Sequence, residues 1–142
     1  MRSKFPVAVH LFFLRDKQIL LLRRFNTGYE DGNYSVVAGH VDAGETVTQA
    51  VIREANEEVG AILEPTDIQI IHVMNRKSED ERIDFFIAVK HWIGEVTNNE
   101  PHKCDNLSWV AIDSLPHNII PYVKHAIENY QASIYYSEFG WQ

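Results

Sequence analysis

Between Gly39 and Gly60 the chain reads GHVDAGETVTQAVIREANEEVG, and no other stretch constrains the fold as much. Thr46 followed three residues later by Gln49 is a capping-box start, which puts a helix N-cap at Thr46. Ala, Val, Ile, Arg and Glu carry the helix to about Val59, and Gly60 is placed as its C-terminal stop. At about 100° per residue, with Glu54 as zero, Glu57 lies near about −60° and Glu58 near about +40°. The three carboxylates therefore share a sector of about 100°. Val47, Ala50 and Val51 project among them, whereas Gln49, Arg53 and Asn56 face elsewhere. A charge run is ordinarily a solvated face. Here the carboxylates sit beside an apolar stripe, where uncompensated charge is costly, and crowding raises their proton affinity. A bound divalent cation relieves both penalties.

Ligand type decides which cation. Carboxylate, carbonyl and water oxygens suit Mg²⁺, with Mn²⁺ as the alternative. The seven histidines are scattered and one cysteine is present, so no zinc-like cluster exists. His40 lies inside the stretch, either approaching a substrate or solvated.

Gly39, Glu45, Arg53, Glu54, Glu57, Glu58 and Gly60 stand in the spacing G-x5-E-x7-R-E-x2-E-E-x-G. Seven fixed positions make a specific signal, and it resembles the signature of the MutT-like Nudix hydrolases, complete from Gly39 to Ala61. Ala55 and Ala61 are small where the family carries bulkier aliphatics, with Ile62 and Leu63 available to supply bulk. The resemblance implies an α/β/α sandwich with a mixed sheet between helices, and Mg²⁺-dependent cleavage of a diphosphate bond in a nucleotide-type small molecule. It implies that Glu54, Glu57 and Glu58 hold the metal, with a main-chain carbonyl at Ala38 or Gly39 as a further ligand. Glu45 and Arg53 then pair to hold the loop-helix-loop, and Gly60 completes the structural motif. Glu58 or a distal glutamate takes the proton; the Trp92–Glu95 segment resembles the one that supplies such a residue, with Glu95 first and Glu100 second. Arg53 and Glu54 complete the catalytic set. An arginine ending the second strand contacts phosphate in the family; Arg24 is favoured over Arg23, since neighbours on a strand face opposite ways. Tyr29, outside the expected strands, and the aromatic tail from Tyr135 are candidates for stacking on a base.

Three rivals are weighed against hydrolysis. A non-catalytic nucleotide-binding Nudix domain would usually lose ionisable motif positions, and all are present. An isoprenoid diphosphate isomerase would call for a further cysteine site. An acidic cation-binding scaffold would show no metal-dependent turnover. Outside the motif, the proline, tyrosine and SQPWPFP-type signatures of ADP-ribose, dinucleoside polyphosphate and NADH subclasses are missing, which weakens those substrates.

With 142 residues and 45% apolar content, a single domain spanning 1–142 is expected. A net charge of −7 provides no basic footprint for polymeric nucleic acid. The chain has no apolar run of about 18 residues, and its N-terminal apolar stretch lacks a small-residue cleavage site. Cys104 has no partner for an internal disulfide. A cytoplasmic monomer or homodimer without membrane contact is the expectation. Strands are expected at 7–14, 19–23, 34–38, 68–75, 83–91 and 107–112, a loop at 26–33, and a second helix at 121–131 with Pro121 in its first turn.

Overall fold

A computed structural model describes all residues from Met1 to Gln142. The chain begins with β1 (Val7–Arg15) and β2 (Gln18–Arg24), a hairpin turned at Asp16 and Lys17, both with positive φ. Two short strands follow, β3 (Tyr34–Ser35) and β4 (Val37–His40), then α1 (Val47–Val59). After a 3-10 turn at Pro65–Asp67 come β5 (Ile68–Lys77), β6 (Glu81–Val89), β7 (Cys104–Ala111), α2 (Pro121–Gln131) and β8 (Tyr136–Phe139). The sheet runs β3-β2-β1-β6-β5-β8, with β4 pairing β1 and β7 pairing β2. It is mixed: β1 lies parallel to β6, β8 lies parallel to β5, and the other pairs are antiparallel.

Strand alternation sorts the core into two layers. On β1, Val9, Leu11 and Phe13 pack with Ala50, Val51, Ala55 and Val59 of α1. Phe12 of the same strand points to the other face, with Val123, Ala126 and Ile127 of α2. β2 repeats the division, Leu20 and Leu22 toward α1, Ile19 and Leu21 toward α2. Each fully buried large apolar side chain contributes about 1.5–3 kcal/mol, so a sheet apolar on both faces requires a helix on each. This is the α/β/α sandwich expected from the sequence.

The helix boundaries are set by local chemistry. Thr46 Oγ1 accepts from the Gln49 N–H at 3.1 Å, and Gln49 Oε1 accepts from the Thr46 N–H at 2.9 Å. Gly60 closes α1 at φ 73°, where its N–H reaches the carbonyls of Ala55 and Asn56. The small residues Ala55 and Ala61 are fully buried under the sheet, which explains their size. Leu63 adds bulk to that core, whereas Ile62 is half exposed and bridges to Ile93.

Three expectations need correction. The single strand at 34–38 is two strands, because β3 pairs β2 while β4 turns onto β1. Strand β7 begins earlier, at Cys104, since Arg24 pairs with it across a bulge. The aromatic tail holds an unforeseen strand, β8, beside β5. No helix is long and apolar enough to cross a membrane.

Candidate active site

A cleft of about 740 Å³ brings the motif carboxylates together with residues from distant parts of the chain. Glu54, Glu57 and Glu58 of α1 line it, as do Gly39 and His40 at the end of β4. Arg24 and Tyr29 contribute from the end of β2 and the loop after it. A second surface cavity of about 730 Å³, between the β1–β2 hairpin and Trp92, contains none of the motif carboxylates.

Arg53 organises the motif. Its Nε and Nη2 donate to the two oxygens of Glu45 at 2.7 and 2.9 Å, a bidentate pair. Nη1 donates to Glu54 Oε1 at 2.7 Å and Glu57 Oε2 at 3.3 Å, and Nη2 also reaches the His40 carbonyl at 3.0 Å. One guanidinium thus ties the loop before the helix to the helix. The Arg53 hydrogen bonds, helped by the Asp42 N–H, hold the Glu45 carboxyl down at about 2.

Glu54 and Glu58 lean toward each other beneath the β4 end. A Cβ at Gly39 would collide with the Glu54 carboxylate, so only glycine permits this approach. Glu58 Oε2 is buried and has no hydrogen-bond partner. Burial raises Glu58 well above the ordinary carboxylate range, with further increments from the hydrogen bond and charge of Glu54 and from the charge of Glu100. Glu57 is the outlier, its side chain 55% exposed and drawn toward Arg53. Accordingly no three His, Cys, Asp or Glu side chains already converge in a cation-holding group.

The two arginines divide as strand alternation dictates. Arg24 lines the cleft, its Nε donating to the Tyr29 carbonyl at 2.7 Å and its Nη2 to Thr27 Oγ1 at 3.0 Å. Its guanidinium also lies 5.2 Å from the Tyr29 ring centroid. Arg23 lies outside the cleft and pairs with Asp105 at 2.7 Å on the surface.

The order of the distal glutamates is reversed. Glu95 is exposed and outside the cleft, whereas Glu100 lines it. The physical reason is how the following loop attaches to α1. The Thr97 N–H donates to the Val59 carbonyl at 2.9 Å and the Asn99 N–H to the Glu58 carbonyl at 3.1 Å. These bonds use orphan carbonyls of the last helical turn and bring Glu100 alongside Glu58. Glu95 follows Gly94, at φ 94°, before that attachment begins. Cys104 also lines the cleft, but burial raises its thiol, and its Sγ donates to the Asn106 carbonyl at 3.3 Å.

Sequence reasoning missed the cleft's other wall. Arg76 on β5 and His10 on β1 both bond Asp84 of β6, at 2.6 and 3.1 Å, and all three are buried. Tyr122 of α2 completes this wall, its ring centroid 3.6 Å from the Arg76 guanidinium carbon. Burial pushes Asp84 up, but the hydrogen bonds and charges of His10 and Arg76 outweigh it and hold the carboxyl at about 2. The available signal was a charge at an inward position of an apolar strand, Asp84 in ERIDFFIAV.

Comparison with known proteins places this geometry in context. A family model described as the NUDIX domain matches residues 4–131. The NAD-capped RNA hydrolase NudC of Pseudomonas aeruginosa is 33% identical over 102 residues, 72% of this chain and 34% of that protein. The chain therefore spans about a third of the length of that relative. The 8-oxo-dGTP diphosphatase of Escherichia coli K12 is 27% identical over 113 residues, 79% of this chain and 86% of that protein. Among solved structures, a MutT NUDIX hydrolase from Burkholderia pseudomallei superposes with a TM-score of 0.81 at 28% identity, covering 89% of this chain and 98% of that one.

Proposed function

The chain belongs to the NUDIX domain family, and on that premise we propose that it is a Mg²⁺-dependent hydrolase of a diphosphate bond. The substrate class is a nucleoside di- or triphosphate, or a nucleoside diphosphate linked to another group. The 8-oxo-dGTP diphosphatase relative, matched over most of its own length, supports a small nucleotide substrate.

The observation that carries this reading is the Glu54–Glu58 pair beneath Gly39. Two crowded carboxylates, one with a buried oxygen that lacks a protein partner, are costly as a doubly charged pair unless a shared proton or a cation joins them, and a cation fits their opening onto the cleft. The donor set is all oxygen, which fits Mg²⁺ or Mn²⁺. Glu54 and Glu58 would hold the ion with Glu57 and a main-chain carbonyl near Gly39. Such an ion supplies charge neutralisation to phosphate oxygens and acidifies water.

The remaining steps fall to protein groups. Arg24 faces the cleft with only neutral partners, so its charge is free for phosphate oxygens. Glu58 or Glu100, both lining the cleft, accepts the proton of the attacking water. Glu100, in place of Glu95, tunes Glu58 by its charge or relays its proton. Arg53 does no proton transfer; it fixes the carboxylates relative to one another. Tyr29, half exposed at the cleft, offers a face for a base, and His40 borders the same opening.

The test is a panel of nucleoside di- and triphosphates assayed for released phosphate and pyrophosphate, with Mg²⁺, with Mn²⁺ and with excess chelator. Turnover of at least one nucleotide, abolished by chelator, is expected. No turnover of any substrate with metal present, or full turnover in chelator, would overturn the proposal.

A further inference from the structure

The second wall of the cleft contains a guanidinium whose hydrogen-bonding capacity is only partly used. Arg76 is 5% exposed, yet only its Nε is bonded within the protein, to Asp84 Oδ2. Neither terminal amine has a protein partner, and the residue lines the cleft. Its terminal amines open onto the cleft, where they are available to a ligand. Its orientation is also fixed. Asp84 pins one side, and the Tyr122 ring covers one face at 3.6 Å. What remains is the edge carrying Nη1 and Nη2, a rigid pair of donors.

Charge separates Arg76 from Arg24. Asp84 neutralises Arg76 within the fold, whereas the partners of Arg24 are a carbonyl and a hydroxyl. An arginine with its charge intact suits a phosphate. One already paired with a carboxylate suits a neutral group that offers two adjacent acceptors. His10 adds a further atom without a protein partner, its buried Nδ1.

We propose that Arg76 reads the nucleobase, donating through both terminal amines to two adjacent acceptors on one base edge. This rests on the nucleotide reading above. Such edges are O6 and N7 of guanine and O2 and N3 of cytosine. Adenine places an amino group beside N7 or N1, and thymine places N3–H between its carbonyls, so neither matches. Arg76 is thus a specificity-determining residue, Asp84 and Tyr122 position it, and the base lies across the cleft from the Glu54–Glu58 carboxylates.

The experiment reads binding apart from hydrolysis. Dissociation constants of dGMP, dCMP, dAMP and dTMP are measured by calorimetry on the whole chain in excess chelator. The expected result is that dGMP or dCMP binds about 10-fold or more tightly than dAMP and dTMP, with the order of the first two distinguishing the bases. Arg76→Lys, which retains a cation beside Asp84 but loses the two-donor edge, should erase this preference while the protein still unfolds cooperatively on heating. Arg24→Ala should weaken all four monophosphates by a similar factor. Equal binding of the four bases by the wild-type protein would overturn the proposal even if metal-dependent turnover is found. A base preference that Arg76 controls, without turnover of any nucleotide, would uphold it and remove the hydrolase reading instead. A preference unchanged in Arg76→Lys would also overturn it.

Discussion

Replacing Asp84 by Asn tests whether the buried cluster stabilises the fold as its geometry implies. The wild-type carboxyl is held at about 2, below its ordinary 3.8. At about 1.4 kcal/mol per tenfold change in proton affinity, that depression contributes about 2 kcal/mol at neutral pH. The sign follows from the folded value lying below the unfolded one: the contribution is complete above 3.8 and is lost as pH falls toward 2. Asn removes the charge and leaves the Arg76 guanidinium buried without a counter-ion. Breaking a buried pair costs about 3–5 kcal/mol, and an amide that still accepts from Arg76 Nε places the loss near about 3 kcal/mol. For 142 residues, an unfolding entropy of about 2.1 cal/mol/K per residue converts this to a Tm decrease of roughly 10 °C. The assay is urea unfolding of both proteins at pH 7, repeated at intervals down to about pH 3. The gap should narrow toward pH 3, because the unfolded wild-type Asp84 takes up a proton there while the folded carboxyl is still ionised. A loss below about 1 kcal/mol at pH 7, or a gap that acid does not narrow, would refute the reasoning.

Two further outcomes follow from the carboxylates of the cleft. Glu58 titrates above its ordinary range, so its charged form destabilises the metal-free fold as pH rises through that elevated value. Glu58→Gln should therefore raise the metal-free Tm at pH 8, reduce the Tm gain on adding Mg²⁺, and lower kcat by at least about 10²-fold; a lower metal-free Tm would contradict this. Glu100→Gln removes a charge that raises Glu58, so the acidic limb of the pH–rate profile should move to lower pH, whereas Glu95→Gln should leave the profile in place. Displacement by Glu95→Gln alone would restore the original order of the two glutamates.

What could be read from the sequence was what depends on near neighbours or on strict period. The capping box at Thr46 and the stop at Gly60 are local chemistry, and α1 has the expected limits. Period-two alternation separated Arg24 from Arg23, and the structure places only Arg24 at the cleft. What was hidden depended on distant hydrogen bonds. Nothing near Glu100 indicates that Asn99 will bond the last turn of α1, and Glu95 has the more conspicuous local setting in Trp-Ile-Gly-Glu. The Arg76–Asp84–His10 cluster joins three strands and exists only once their register is set. β8 is four residues long and leaves Tyr136 exposed, so its pattern is too short to indicate a strand; its place is fixed by β5, with His72 Nε2 2.7 Å from Ser137 Oγ.

The parallel pairings also fix where the chain enters and leaves the body. β8 runs alongside β5, so Phe139 lies level with Arg76, and Trp141 donates to the Asn75 carbonyl at 2.9 Å. β1 runs alongside β6, so Val7 lies level with Ile83, just past the Ser78–Asp80 turn that borders the cleft. Both ends of the described chain therefore emerge on the side where the cleft opens. A purification tag or fused partner placed before Met1 or after Gln142 would extend from the side on which the cleft opens. An insertion between Asp16 and Lys17, at the hairpin tip where β1 ends, would extend from the opposite pole and leave the entrance clear.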